Sequence, residues 1–174
     1  MVEINEGFGK SEPSRLLLSE SRQFVTNEEV AKLFGHNYQK LVEDKAEQLG
    51  IKEKLQFFDV PMPHNGSQAV YLAEQFRGND LVLVPVLRRG MVTSRHHHEP
   101  PMGKEIYYHI AGESVVYLGT EASPLILNEQ QSRIEIPLGV IHQVKAPEKP
   151  ALTLIVMENA RLVSPGRLHV KNTE

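Results

Sequence analysis

Three consecutive histidines lie in the stretch 95–99, which reads Arg-His-His-His-Glu. In an extended chain alternate side chains share a face, so His96 and His98 point one way and His97 points the other. Two imidazoles on one face can hold a metal ion through neutral ring nitrogens. The spacing therefore predicts half of a metal site at His96 and His98, with His97 and Glu99 directed away from it.

Two further donors are expected from more distant parts of the chain. An antiparallel return across residues 100–103 would bring the carboxylate of Glu105 back towards the two histidines. His142 follows a Pro-Leu-Gly turn at 137–139, where another strand begins. Three imidazole nitrogens and one carboxylate leave open coordination positions, as catalytic metal sites require. We therefore expect one divalent transition metal ion (Fe, Mn, Ni, Co or Zn), bound by His96, His98, Glu105 and His142.

Strand alternation also places candidate catalytic groups beside this site. Glu105, Tyr107 and His109 share one face of their strand, so all three point inward if Glu105 does. A phenol or an imidazole within hydrogen-bond reach of a substrate can act as an acid or base, which makes Tyr107 and His109 the catalytic candidates. Packing is the alternative role for Tyr107, and a buried structural ring the alternative for His109. Arg95 adjoins the first ligand, and its guanidinium suits a small substrate that carries phosphate or carboxylate.

The same residues follow the two sequence motifs of the cupin superfamily. The first motif is a Gly, five residues, His-x-His, three or more residues, Glu, six residues and Gly, and the second contains Pro-x-Gly, two residues and His. The matching positions are Gly90, His96, His98, Glu105 and Gly112 for the first motif, and Pro137, Gly139 and His142 for the second. Gln131 and Ala146 depart from the pattern, because the second motif often has Gly and Asn there. The chain thus resembles the cupins over residues 80–146.

This resemblance implies a mainly β fold, a small antiparallel β-barrel of the cupin or jelly-roll type with a metal in its mouth. Six residues separate His98 from Glu105, as in the cupin-type phosphoglucose isomerases of archaea. Those enzymes use a Thr and a Tyr for phosphate binding, and Thr93 and Tyr107 stand at the same positions. With Arg95, these two become the predicted substrate-binding residues, although that family has Gly in place of Arg95. Dimers are common among cupins, so a homodimer is expected.

The elements that position these residues fall into three parts. Thr26 supplies a helix N-cap, and the spacing of apolar residues predicts two short helices at 26–34 and 37–48. After Lys54, short segments of strand-forming residues separated by turns indicate an antiparallel sandwich or barrel. The predicted strands are 55–60, 69–76, 81–87, 105–111, 114–118, 124–127, 134–136, 141–145 and 152–157. The predicted units are an N-terminal extension with helices (1–53), the cupin β-barrel (54–165) and a polar C-terminal tail (166–174).

Composition limits the classes of function. The chain has 174 residues, 40% of them apolar, which fits one domain with a sizeable core. It contains no cysteine, which excludes disulfides, thiolate metal sites and thiol catalysis. With 19 basic and 22 acidic residues, it has no general attraction to nucleic acid or to anionic lipid. No apolar run approaches the roughly 20 residues that cross a bilayer, and the first residues show no secretory signal, so we expect a cytoplasmic protein.

Three functions remain open. The favoured one is metal-dependent isomerisation of a sugar or sugar phosphate, in which a base moves a proton between neighbouring carbons through an enediol. Its support is the ligand spacing together with Thr93 and Tyr107. The same ligand set also permits an Fe(II)-dependent dioxygenase, or a non-catalytic cupin that binds a small molecule.

Overall fold

The structure is a computed structural model that describes residues 26–63, 69–119, 123–163 and 170–171. Residues 1–25 of the predicted extension lie outside the described residues, as do most of the predicted tail and residues 64–68. Within the described ranges, no helix has both the length and the apolar character needed to cross a membrane.

Two helices precede the strands, as the sequence predicts. Helix α1 (Asn27–Phe34) begins with a capping box, in which the N–H of Glu29 donates to the Thr26 hydroxyl and the N–H of Thr26 donates to the Glu29 carboxylate. Helix α2 (Tyr38–Gln48) follows after a short turn. Its buried residues recur every four positions, which is the spacing of a helix that packs on a surface. They are Tyr38, Val42 and Ala46.

Eleven strands follow among the described residues and form two antiparallel sheets. They are β1 (Phe57–Pro63), β2 (Val70–Arg77), β3 (Asp80–Leu87), β4 (His96–His97), β5 (Glu105–Gly112), β6 (Ser114–Leu118), β7 (Leu125–Leu127), β8 (Arg133–Ile136), β9 (His142–Lys145), β10 (Ala151–Met157) and β11 (Val170–Lys171). The first sheet has the order β1-β2-β3-β10-β5-β8, and the second has the order β11-β4-β9-β6-β7. These pairings give two packed sheets rather than one closed barrel.

Strand alternation divides the buried residues into two apolar layers. On β3, Leu81 and Leu83 face the interior between the sheets, where they belong to the same cluster as Val116 of the second sheet. Val82 and Val84 point the other way and pack in a cluster with residues of the two helices. The first sheet is therefore buried on both faces, which explains why a strand such as β3 reads as a continuous apolar run.

The predicted fold class is confirmed, because the chain is mainly β, with two helices and antiparallel sheets consistent with a jelly roll. All nine predicted strands are present, with ends that differ by at most three residues. The strands β4 and β11 were not predicted, since two residues are too few to show alternation. They pair with each other, which places β11 of the predicted tail beside the histidine segment.

Candidate metal centre

The four predicted metal ligands meet between the two sheets. His96 and His142 face each other as paired residues of β4 and β9 in the second sheet, whereas Glu105 begins β5 in the first sheet. His98 follows β4 directly, and its carbonyl accepts a hydrogen bond from the N–H of Gly139 (3.0 Å), in the turn before β9. Backbone pairing in both sheets thus fixes the positions of the ligands.

The donor atoms of these residues converge closely. One donor atom from each of the four lies within 4.8 Å of the others, and all four residues are buried. Nε2 of His98 lies 2.7 Å from Oε2 of Glu105, and Nε2 of His142 lies 2.9 Å from the same oxygen. Within the described part of the chain, this His142 nitrogen is buried without a well-aligned hydrogen bond. A buried carboxylate surrounded by three imidazoles is the arrangement of a metal site.

Backbone carbonyls fix the ring orientation of two of the histidines. Nδ1 of His96 lies 2.8 Å from the carbonyl oxygen of Ser94, and Nδ1 of His142 lies 3.0 Å from that of Val140. A carbonyl oxygen only accepts hydrogen bonds, so Nδ1 carries the proton in both rings. In the neutral imidazole, Nε2 then keeps its lone pair, which is the form that binds a metal ion.

The electrostatics of the cluster favour a neutral His96 and an ionised Glu105. Burial, reinforced by the neighbouring His142, lowers the pKa of His96 to about 4, so this ring is neutral at pH 7. Burial alone would raise the pKa of Glu105, but attraction to His142 and the hydrogen bond from His98 outweigh it and hold that pKa well below its usual value. Neutral imidazole and ionised carboxylate are the forms in which these side chains bind a divalent ion.

These residues fit a divalent transition metal ion. Imidazole nitrogens with one carboxylate suit Fe, Mn, Ni, Co and Zn, whereas Mg and Ca prefer oxygen donors throughout. Four protein donors also leave one or two positions for substrate oxygens in a shell of five or six ligands. The cluster is therefore able to hold an ion and a substrate at the same time.

Tyr107 lies beside the ligands, as strand alternation predicts. Its ring centroid is 6.4 Å from that of His142. Burial, followed by the charge of Glu105, raises the pKa of Tyr107 well above its usual value, so the phenol is neutral at pH 7. The phenol thus lies beside a predicted ligand and keeps its proton there.

The other predicted site residues bond to backbone groups or lie near the site without a direct ligand contact. The hydroxyl of Thr93 accepts a hydrogen bond from the N–H of Val144 (2.9 Å), which ties the segment before β4 to β9. His109 lies two residues beyond Tyr107 on β5, and its Nε2 donates to the carbonyl of Gly112 (2.9 Å). Arg95 is half-buried on the loop that leads into β4.

His97 and Glu99 lie outside the cluster, as alternation predicts. His97 is half-buried and Glu99 is exposed. Nε2 of His97 lies 3.3 Å from Oε1 of Glu99, so the two side chains pair with each other next to the site. This geometry agrees with the assignment of Glu105, and not Glu99, as the carboxylate of the cluster.

One polar group of the interior was missed by sequence reasoning, namely Tyr71 on β2. Its surface is 8% exposed, and it belongs to the same buried layer as Tyr107. No metal motif lies on β2, so spacing from the histidines did not point to this residue. The available signal was its position two residues after Ala69, because alternation puts both side chains on one face.

Comparisons with solved structures agree on the fold. A chain from the crystal structures of the DMSP lyases RdDddP and RnDddQII superposes with a TM-score of 0.57 at 15% sequence identity, over 85% of this chain and 77% of its own. An uncharacterised conserved protein with a double-stranded β-helix domain, from Klebsiella pneumoniae subsp. pneumoniae MGH 78578, gives a TM-score of 0.50 at 17% identity. That superposition covers 66% of this chain and 91% of the other.

A third similar structure is the capsular polysaccharide assembling protein CapF from Staphylococcus aureus, with a TM-score of 0.53 at 13% identity over 71% of this chain. The chain spans 36% of the length of CapF. No protein-family model matches the sequence, and no curated protein matches it. Identities this low establish the fold alone. The chain therefore has a double-stranded β-helix fold, with a buried His/Glu cluster at the positions that resemble the cupin motifs.

Proposed function

We propose that this chain is a metal-dependent enzyme that moves a proton on a small polar substrate, and that its reaction is the isomerisation of a sugar or sugar phosphate. The observation that carries the proposal is the cluster of four converging donors with the buried Tyr107 beside it, its ring centroid 6.4 Å from that of His142. Exchange between an aldose and a ketose needs an electrophile at the carbonyl oxygen and a proton-transfer group beside it. The buried site offers a place for both.

The four donors would hold a single ion of Fe, Mn, Ni, Co or Zn. Bound there, such an ion would polarise the substrate carbonyl and acidify the adjacent C–H bond. The burial of His96, His98, Glu105 and His142 keeps bulk water away from them. Charge interactions with a substrate are stronger in such a site than in water.

Tyr107 is the proposed acid. Because its phenol is neutral at pH 7, it would donate its proton to the carbonyl oxygen of the substrate. The phenolate oxygen of Tyr107 would then take a proton back from the neighbouring hydroxyl of the substrate. This is the oxygen-to-oxygen part of an aldose–ketose exchange. His109, on the same predicted face of β5, is the proposed second group. Its Nε2–H donates to the carbonyl of Gly112, so Nδ1 is the nitrogen that would take the proton from one carbon of the substrate and return it to the neighbouring carbon.

The proposed substrate contacts are Thr93, Arg95 and Tyr107. Arg95 lies on the loop that leads into β4, and its guanidinium suits a phosphate or carboxylate group. The Thr93 hydroxyl accepts from Val144 and keeps its own O–H for donation to a phosphate oxygen. A homodimer in the cytoplasm is also part of the proposal, and light scattering of the purified protein measures the oligomeric state.

A lyase is the second candidate, because one of the similar folds is that of a DMSP lyase chain. Removal of a proton next to a carbonyl or carboxylate also begins an elimination reaction. The same side chains would then remove that proton, and the substrate would carry a leaving group in place of the neighbouring hydroxyl. The product of the reaction distinguishes the two candidates.

Isotope exchange tests the proposal across many substrates at once. Metal-free protein would be loaded anaerobically with each of the five ions and incubated in D2O with aldoses, ketoses and their phosphates. NMR would follow deuterium at the carbon next to the carbonyl and the appearance of the isomer. We expect exchange that depends on the ion, is lost in His98→Ala, and persists in His97→Ala, which changes a neighbouring histidine outside the cluster.

Three other outcomes would contradict the isomerase. Oxygen consumption by the iron-loaded protein with an organic substrate would identify a dioxygenase. Loss of DMSP from a parallel NMR sample would favour a lyase. Tight retention of a ligand without any exchange would indicate a non-catalytic binding protein.

A further inference from the structure

Tyr71 is a buried phenol on β2, a strand that contributes no predicted ligand. It belongs to the apolar layer between the two sheets, as Ala69 does. Its chain neighbours Val70 and Leu72 belong to the opposite layer, beneath the helices. The side chain of Tyr71 is therefore directed into the same interior space as Tyr107 and the four donors.

A β-bulge at Leu72 directly follows Tyr71 on β2. Tyr71 pairs with Pro85 of β3, but Ala73 pairs with Val84, so one residue of β2 is left without a partner. Beyond the bulge, Ala73 lies in the layer beneath the helices, although simple alternation would place it with Tyr71. Bulges often re-aim a side chain next to a functional site, and here Tyr71 is the last residue of β2 before the bulge that keeps the interior face of Ala69.

Electrostatic effects show that Tyr71 lies close to the cluster. Burial, followed by the charge of Glu105, raises the pKa of Tyr71. Tyr71 is in turn one of the groups that raise the pKa of Tyr107, after burial and Glu105. The two phenols come from β2 and β5, which are separated by β3 and β10 in the sheet order. The charge of Glu105 nevertheless raises the pKa of both.

We infer that Tyr71 is a second substrate-contacting residue of this site, whose hydroxyl donates a hydrogen bond to an oxygen atom of a small molecule held at the four donors. This inference rests on the proposed function only in that a small oxygen-bearing ligand binds there. Leu83 and Ile155 lie on the same interior face, on the two strands between β2 and β5, and Glu74 of β2 pairs with Leu83 on that face. A neutral phenol in this buried layer recognises a hydroxyl, carbonyl or carboxylate oxygen, and rejects an analogue that lacks it.

A binding experiment with a simple chelating ligand tests this role. Cobalt(II)-loaded wild-type protein and the Tyr71→Phe variant would be titrated with acetohydroxamate, and the visible absorption of cobalt would report binding. We expect the Kd to rise about fivefold in Tyr71→Phe, the usual effect of one lost neutral hydrogen bond. The cobalt content and the spectrum without acetohydroxamate should stay the same, because Tyr71 is not a donor to the ion.

Tyr38→Phe is the matched control. Tyr38 is also a buried tyrosine, and its hydroxyl donates to Oδ1 of Asn27 (2.9 Å) beneath the helices, away from the donor cluster. Its loss should leave the acetohydroxamate Kd unchanged. A second measurement needs no variant to fold: in zinc-loaded wild-type protein with 13C-labelled tyrosine, acetohydroxamate should shift the ring signals of Tyr71 and Tyr107, and not that of Tyr38.

The outcomes separate this inference from the proposed function. An unchanged Kd in Tyr71→Phe, or the same change in Tyr38→Phe, would overturn the role of Tyr71 and leave the isomerase proposal in place. Absence of a Tyr71 ring shift would do the same. If acetohydroxamate binds as expected but no substrate exchanges deuterium, the isomerase proposal fails and the role of Tyr71 stands. Wild-type protein that holds cobalt but does not bind acetohydroxamate contradicts both.

Discussion

Main-chain carbonyls orient two histidines of the cluster. In each case the accepting carbonyl lies two residues before the histidine, at Ser94 for His96 and at Val140 for His142. Carboxylates or waters often take this part in metal sites. Here the tautomer of each ring follows from the local backbone, so the site depends on how β4 and β9 begin.

Removal of one ligand should abolish metal binding, whereas removal of its neighbour should not. We expect His98→Ala to weaken metal affinity by more than about 100-fold, since changes to groups behind the ligands already cost 10–100-fold. His97→Ala should retain the metal, because that side chain pairs with Glu99 outside the cluster. Elemental analysis of the two purified variants measures the difference, and equal metal content would contradict the alternation of faces.

The two nearby carboxylates should differ in the same way. Glu105→Gln replaces the charged donor of the cluster by a neutral amide, so we expect it to lose most of the bound metal. Glu99→Gln changes an exposed side chain and should keep the wild-type metal content. The measurement is metal stoichiometry after dialysis against a weak chelator. The reverse order would show that the carboxylate ligand is Glu99.

Individual residues of the site were predictable where a motif or regular alternation applied. His96, His98, Glu105 and His142 carried a motif, and Tyr107 followed from its parity with Glu105. Tyr71 did not follow, because β2 carries no metal motif that would mark which of its two faces lies towards the site. Its proximity to the cluster also depends on sheet order, which a single strand does not encode.

At the scale of elements, strands of normal length followed from the sequence, whereas β4 and β11 did not. A strand of two residues shows no alternation, and its pairing partner decides whether it forms. β4 pairs with β9 through His96 and His142, so the formation of this strand and the assembly of the site are the same event. The predicted helices form where the sequence places them because Thr26 and Glu29 provide a local capping box.

The turn between β5 and β6 gives a prediction at this scale. A Cβ atom on Gly112 would lie 1.8 Å from the carbonyl oxygen of Pro150, and φ is +74°. That carbonyl also accepts a hydrogen bond from the N–H of Glu113 (3.2 Å), which resists its displacement. We expect Gly112→Ala to lower the free energy of unfolding by about 3 kcal/mol or more, measured by urea denaturation.

Gly78→Ala is the control for this prediction. Its φ is +58°, but a Cβ there would meet no described atom within 4 Å. Only the left-handed backbone would be strained, at a cost of about 1 kcal/mol. Equal destabilisation by the two substitutions would mean that the close approach of Pro150 is not important for stability.

At the scale of the whole molecule, the site joins the two sheets. His96 and His142 belong to the second sheet and Glu105 to the first, while the helices cover the opposite face of the first sheet. The sequence predicted the fold class and the ligand set, but not the division of strands into two sheets, because that division depends on pairings between residues far apart in the chain. Thr153 of β10 with His109 of β5 is one such pairing.

Because the ligands come from both sheets, metal removal should destabilise the entire fold. An ion at 100 times its Kd adds about 2.7 kcal/mol to the stability of the folded state, which for a chain of this length raises Tm by about 5–10 °C. Calorimetry with and without EDTA measures this shift, and it should be a single transition, since the ion holds both sheets together. His97→Ala should respond to EDTA as the wild type does, whereas His98→Ala should not respond. A wild-type Tm that stays constant after complete metal removal would show that the folded chain binds no ion more tightly than the unfolded chain does, and would contradict the proposed metal site.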